Sequence, residues 1–147
     1  MLAVKLICCG KLKERFYKEA SAEYEKRLSG FCKLTVARVD EEGLEKEAEN
    51  ILGAIPQGAY VVAMCIEGKQ MSSEDLAKRL AELQNRGVSH VCIVIGSSEG
   101  LSERVKAKAD TKLNMSPMTF PHHLAQVMVL EQLYRAFSIN AGSRYHK

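Results

Sequence analysis

The 147-residue chain contains no tryptophan, only three prolines and no long apolar run. No segment approaches the roughly 20 consecutive apolar residues that span a bilayer, and the short apolar start lacks the hydrophobic region and cleavage site of a signal peptide. The lack of repeats and low-complexity segments argues against a disordered or fibrous chain. We therefore expect a soluble, cytoplasmic protein with no membrane partner.

Patterns that bind metals or form disulfides are also missing. The cysteines are odd in number, lie in or beside apolar segments, and form neither a C-x-x-C pair nor the Cys/His spacing of a zinc site. They are Cys8, Cys9, Cys32, Cys65 and Cys92. We interpret them as buried thiols in a reducing compartment, and the sequence predicts no metal.

The net charge of +3 is too small to indicate a nucleic-acid partner by itself. Basic residues nevertheless cluster near both ends of the chain, and two such patches could meet in the fold and complement phosphates. One cluster contains Lys11, Lys13, Arg15 and Lys18, and the other contains Arg135, Arg144, His146 and Lys147. A solvated surface is the simpler explanation of either cluster alone.

Apolar periodicity predicts strands alternating with helices within one domain, residues 1–147. Predicted strands cover residues 2–9, 33–39, 60–66, 91–95 and 112–115, and predicted helices cover 14–28, 42–55, 74–85, 102–108 and 122–139. This alternation is typical of an α/β fold, in which helices cover both faces of a mostly parallel sheet.

Ligands of such sheets bind beyond the carboxyl ends of the strands, so the turns predicted at 67–69, 96–101 and 116–121 are the candidate site. Gly96 and Gly100 would let the backbone approach a ligand, although one G-x-x-x-G is a weak signal. The loop lacks the Walker and dinucleotide-binding patterns, and Glu99 would repel a pyrophosphate. A neutral or cationic ligand fits this loop better.

The last predicted helix is apolar nearly all round, so we expect it to be covered on both sides, partly by a second subunit. Within it, Glu131 and Arg135 are four residues apart and form either an ordinary intrahelical salt bridge or a functional pair. The polar tail from Tyr145 is likewise either a solvated terminus or part of a site.

Several motifs occur together and in order along the whole chain. They are Gly10-Lys11-Leu12-Lys13, Gly96-x-x-x-Gly100-Leu101, Met118-Thr119-Phe120-Pro121-His122, Glu131-Gln132-x-Tyr134-Arg135-Ala136-Phe137 and Tyr145-His146-Lys147. In these motifs the chain resembles the bacterial large-subunit rRNA pseudouridine N3-methyltransferase H family, which consists of small SPOUT-class enzymes. One position departs from the family pattern, because Ser97 stands where the second glycine of a Gly-Gly pair is usual. The Cβ of Ser97 needs a backbone angle that L-residues tolerate.

The resemblance implies a SPOUT-type sheet with a C-terminal trefoil knot, a homodimer, and S-adenosyl-L-methionine bound in the knot loops. The implied substrate is N3 of a pseudouridine in the 23S rRNA of the large ribosomal subunit or of the whole ribosome. Carried over by position, the cofactor pocket comprises Met64, Gly96, Met115, Ser116, Pro117, Met118, Thr119 and Phe120.

The chemistry of methyl transfer to nitrogen suggests three catalytic residues. An imide N–H titrates not far above neutrality, so Arg135 could stabilise the anionic base while His146 or His122 takes the proton. Tyr145 could stack on a flipped or looped-out base. Two other functions remain open: a SPOUT enzyme that acts on tRNA, and a non-catalytic ribosome-binding module.

Overall fold

The computed structural model describes residues Met1–Lys147, and its centre is a five-stranded sheet in which all neighbours run parallel. The strands are β1 (Ala3–Cys9), β2 (Lys33–Val39), β3 (Tyr60–Lys69), β4 (His90–Ile95) and β5 (Thr111–Leu113), and their order across the sheet is β2-β1-β4-β3-β5. The helices are α1 (Arg15–Leu28), α2 (Leu44–Ala54), α3 (Ser73–Asn85), α4 (Glu103–Lys108) and α5 (His122–Asn140). The predicted α/β class is confirmed.

Local sequence explains the best-defined boundaries. Residues 91–95 of β4 are buried because β1 and β3 pair with its two edges and helices cover both faces. At the start of α3, the Ser72 hydroxyl accepts a hydrogen bond from the Asp75 N–H, and the Asp75 carboxylate accepts one from the Ser72 N–H. This capping box makes Ser72 the N-cap and fixes the start of α3.

The two faces of the sheet carry separate apolar layers. Helices α1, α3 and α5 cover one face, and α2 and α4 cover the other. Helix α5 packs between α1 and α3 as well as on the sheet, so the chain itself covers most of its circumference. Several α5 side chains are nevertheless only half-buried, so the expected cover by a second subunit stays a prediction, as does the knot.

The prediction of a turn at 67–69 is wrong, because these residues form the last part of β3, which continues to Lys69. The pairing of β3 with β5 shifts register between Met64 and Lys69, where both residues oppose Leu113. Gly68 permits this close crossing, since a Cβ there would lie 2.6 Å from the Leu113 nitrogen. No helix of the protein combines the length and the apolarity needed to cross a membrane.

Candidate functional site

A cleft of about 830 Å³ opens beyond the carboxyl ends of β3, β4 and β5. Residues 64–67, 96–101 and 113–116 line it, together with residues 118–122 from the segment that leads into α5. The three strands are adjacent in the sheet, which is why segments far apart in sequence meet here. The cleft thus lies where the parallel-sheet rule predicted a ligand site.

Seven of the eight residues predicted to bind a cofactor line this cleft, and Pro117 does not. The seven are Met64, Gly96, Met115, Ser116, Met118, Thr119 and Phe120. Leu101 and Asn114 also line it, and Asn114 helps to shape its last loop by accepting a hydrogen bond from the Ser116 N–H at 2.9 Å. Cofactor binding by these residues stays a prediction.

In the structure, glycine is needed at position 96 for a reason other than the predicted approach of a ligand. A Cβ on Gly96 would lie 2.3 Å from the carbonyl oxygen of Gly100, so the close approach is made by the loop's own backbone rather than by a ligand. Gly100 has a φ of 81°, which an L side chain rarely adopts. The two glycines therefore close the loop on itself.

Ser97 has a partner that sequence analysis missed. Its hydroxyl donates to Glu47 Oε1 at 2.9 Å, and both residues are buried. Glu47 Oε2 accepts hydrogen bonds from the N–H groups of Glu42 and Gly43 at 2.9 and 3.0 Å. Ser97 has no positive φ, as expected, and it fixes the glycine loop to the start of α2. A contact across 50 sequence positions leaves no local signal.

No cysteine near the cleft is an activated nucleophile. Burial raises the pKa of Cys65 to about 11, with a further contribution from its hydrogen bond to Glu67. Burial likewise raises the pKa of Cys9 to about 12. Because the thiolate is the reactive form, these groups do not favour chemistry through a covalent thioether.

The tail that begins at Tyr145 folds back on α5, where Tyr145 and Arg135 bind the same carboxylate, that of Glu131. Tyr145 Oη donates to Glu131 Oε2 at 2.7 Å, and Arg135 donates to the same carboxylate through Nη2 at 3.0 Å and Nε at 3.3 Å. The Arg135 guanidinium also lies 4.8 Å from the centre of the Tyr145 ring. The intrahelical salt bridge is therefore present, but it forms part of a larger cluster.

His146 completes this tail cluster, which we define as Glu131, Arg135, Tyr145, His146 and Glu74. Arg135 Nη1 lies 3.0 Å from His146 Nδ1, and His146 Nε2 contacts the Glu74 carboxylate. A guanidinium can only donate, so Nδ1 accepts and the ring proton sits on Nε2. The arrangement thus holds the neutral imidazole and links α5 to the start of α3.

The electrostatics of the tail cluster fix its protonation states. Burial works to raise the pKa of Glu131, but hydrogen bonds from Arg135 and Tyr145 outweigh it and lower that pKa below its usual value. The bond to Glu131 raises the pKa of Tyr145. At neutral pH the cluster therefore contains a carboxylate, a guanidinium cation and a protonated phenol.

A second, mostly apolar cavity of about 460 Å³ connects the two regions. It lies between α3 and α5, and shares Met64, Met115 and Val129 with the cleft. Glu131 lines its other end. This cavity thus borders the cleft on one side and Glu131 of the tail cluster on the other.

Comparison with known proteins gives the family. A profile described as "Predicted SPOUT methyltransferase" matches residues 2–146. The chain belongs to the SPOUT methyltransferase family. Among its curated relatives are two proteins named ribosomal RNA large subunit methyltransferase H. The one from Bifidobacterium animalis subsp. lactis is 47% identical over 98% of this chain and 99% of its own length. The one from Clostridioides difficile is 42% identical, with the same coverage.

Solved structures support the same fold for this SPOUT methyltransferase. A probable methylase family protein from Haemophilus influenzae superposes with a TM-score of 0.61 at 11% identity, covering 98% of this chain and 70% of its own. A protein from a study of 2-OH methylation of C/U34 on tRNA gives a TM-score of 0.53 at 15% identity, covering 94% and 92%. The resemblance inferred from the motifs is confirmed at the level of family and fold.

Proposed function

We propose that this SPOUT methyltransferase uses S-adenosylmethionine to methylate N3 of a pseudouridine in the 23S RNA of the large ribosomal subunit. The names of the curated relatives support a large-subunit ribosomal RNA as the substrate. The observation that carries the chemistry is the tail cluster, in which one carboxylate holds a guanidinium cation and a phenol, and the guanidinium binds a neutral imidazole.

The cleft fits the cofactor. Its volume of about 830 Å³ lies within the roughly 300–1,000 Å³ of small-molecule sites. Met64, Leu101 and Phe120 offer apolar surface for a purine ring, and the loop backbones offer donors and acceptors for its edge. When bound, S-adenosylmethionine supplies a methyl group already activated by its sulfonium charge, which this largely neutral cleft accommodates.

The residues of the tail cluster suit an imide nitrogen acceptor. Removing the N3 proton leaves negative charge on the base, and Arg135 stabilises it by charge and hydrogen bonds. Once Arg135 turns to the substrate, the Nδ1 lone pair of His146 becomes free to accept the proton. The Tyr145 ring then stacks on the base, exchanging its contact with Arg135 for one with the nucleobase.

The substrate we propose is the assembled large ribosomal subunit or the whole ribosome. The side chains of Lys11, Lys13 and Lys18 are exposed and available to ribosomal phosphates. We also propose a cytoplasmic homodimer. Phe16 on α1 is 63% exposed, and Leu124 and Met128 on α5 stay half-buried, which supports a second copy along this side.

Mass spectrometry of 23S rRNA and tRNA from a deletion strain tests the proposal. We expect one missing methyl group in 23S rRNA, restored by the wild-type gene but not by Arg135→Ala. Arg104→Ala is the matched control, because its guanidinium makes only an exposed ion pair with Glu45. A methyl missing only from tRNA would identify the tRNA enzyme instead. No heat with S-adenosylhomocysteine would favour the ribosome-binding module.

A further inference from the structure

Two histidines and a glutamate converge beside the cleft, outside the tail cluster. His122 and His123 open α5, and Glu41 lies in the loop between β2 and α2. One imidazole nitrogen from each histidine and one carboxylate oxygen all lie within 4.8 Å of one another. His122 ends one of the family motifs and lines the cleft, but the proposed methyl transfer gives His123 and Glu41 no role.

The Nε2 atom of each histidine is buried and makes no hydrogen bond. Nε2 of His122 lies at an ion-pair distance of 2.6 Å from Glu41 Oε1. Buried polar atoms are nearly always satisfied by protein, water or an ion, so two orphans side by side indicate a missing ligand.

A third orphan lies on the next turn of α5. Gln126 is 1% exposed, and its Oε1 has no partner, while its Nε2 donates to the Cys9 carbonyl at 3.4 Å. The following residue, Gly10, packs against the cluster: a Cβ there would lie 3.0 Å from the Glu41 carboxyl carbon and 3.1 Å from His123 Nε2. Three of the four buried side-chain atoms without a hydrogen-bond partner therefore lie at the start of α5, near the end of β1, and the fourth is Ser138 Oγ.

We propose that Glu41, His122 and His123 bind one divalent transition-metal ion, for which Zn²⁺ is the best match. Two imidazoles and a carboxylate are a ligand set that zinc prefers. Zinc ligands lie about 2.0–2.2 Å from the ion and so roughly 3.3–3.5 Å from each other, which small side-chain rotations would reach here. Water or the Gln126 amide oxygen is available as a further ligand.

Glu14 supplies the outer partner that metal-bound histidines usually have. Its Oε2 lies 4.0 Å from His123 Nδ1, so it can accept the Nδ1–H and orient Nε2 towards the ion. The ion would tie the segment before α1, the loop before α2 and the start of α5 together. The role is a structural one and does not rest on the proposed methyl transfer. A metal site here differs from the sequence-based prediction of no metal, which was based on the spacing of the cysteines.

The test is a titration of untagged, full-length protein with Zn²⁺ in competition with a chromophoric chelator. We expect one equivalent per chain, with affinity reduced by more than about 100-fold in His123→Gln and in Glu41→Gln. Glu14→Gln should lose about tenfold, as outer-shell changes do. His90→Gln is the matched control, because His90 lies at the opposite end of the sheet and should bind like wild type.

Cobalt provides a second readout. The Co²⁺ complex should show a d–d spectrum of nitrogen and oxygen ligands without a thiolate charge-transfer band. Melting curves without metal check that the variants fold. If His123→Gln does not fold, the test rests on Glu41→Gln, which changes a loop residue. Absence of stoichiometric binding, equal affinity in the ligand variants, or a thiolate band that points to the nearby Cys9 would each overturn the site.

Discussion

The cleft and the tail cluster border the same cavity between α3 and α5, but they are built by different means. In the cleft, backbone packs on backbone: Gly96 touches the Gly100 carbonyl, and buried Ser97 ties the loop to α2. In the tail cluster, one carboxylate on α5 holds the side chains of Arg135 and Tyr145. A change in the cleft should therefore disturb the fold and the site together, whereas a change in the tail cluster should disturb the site more than the fold.

The largest expected effect comes from removing residues 145–147. Methyl transfer should fall by at least about 100-fold, because Arg135 loses the groups that position it and stabilising hydrogen bonds at a reacting oxyanion are worth that much. Cofactor affinity and melting temperature should stay near wild type, since the tail buries little apolar surface. Methylation of whole ribosomes and calorimetry with S-adenosylhomocysteine measure the two effects. Full activity would make the tail an ordinary solvated terminus.

Gly96→Val should weaken cofactor binding and lower stability together, which tests the expectation for the cleft. Any Cβ at this position meets the Gly100 carbonyl, so the loop must move. We expect more than about tenfold weaker binding of S-adenosylhomocysteine and a stability loss of about 1–3 kcal/mol, as for other overpacked sites. Gly53→Val is the control, because a Cβ there meets no atom within 4 Å. Unchanged cofactor affinity would move the binding site elsewhere.

Glu131→Gln should lower turnover by about tenfold, equivalent to about 1.4 kcal/mol, by loosening Arg135 and Tyr145 without changing shape. Cofactor affinity should not change. Exposed Glu82 is a suitable control as Glu82→Gln. Single-turnover methylation separates this effect from binding, and equal turnover in both variants would show that Glu131 does not position the site.

The same carboxylate predicts a pH dependence. The pKa of Glu131 is lowered in the folded protein. Its contribution to stability is therefore fully present above the pKa of the unfolded chain and is lost as the pH falls through the lower folded value. Unfolding curves measured at decreasing pH should show this acid-side loss in the wild type and a smaller one in Glu131→Gln. Parallel curves would contradict it.

Ser97→Gly, which introduces the residue more usual in the family, should affect stability rather than turnover. Glu47 would lose a hydrogen-bond donor in a buried site, costing about 1–3 kcal/mol of stability. Ser98→Gly carries the same backbone penalty at an exposed position that lacks this bond, so the difference between the two variants isolates the hydroxyl. Equal denaturation midpoints would mean that Ser97 does not fix the loop.

Much of the fold follows from local pattern, since apolar periodicity predicted a strand at 91–95 and a helix at 74–85, close to the observed β4 and α3. The extension of β3 was missed because it depends on how Gly68 crosses β5 rather than on any propensity. The covering of α5 by α1 and α3 was missed for a similar reason. Periodicity shows that a helix has no polar face, but not which neighbours cover it.

For the candidate site, the rule that ligands bind beyond strand ends located the cleft, and the order of motifs indicated the tail. The partners of these residues were harder to foresee. Ser97 contacts Glu47 and His146 contacts Glu74 across 50 and 72 positions, and such pairs are set by the tertiary fold. Glu41 and the two histidines meet in the same way, without any spacing that a single sequence could reveal.

The position of α5 also has a consequence for how the protein is made. This helix covers the apolar face formed by β1, β4, α1 and α3, yet it is synthesised after all of them. Until it emerges from the translating ribosome, that face is exposed to water. One edge of β1 also stays unpaired until β4 has been synthesised. Pairings between distant segments fold slowly and leave apolar surface open to aggregation. A nascent chain stalled before residue 122 should therefore be a preferred client of chaperones that bind apolar surfaces.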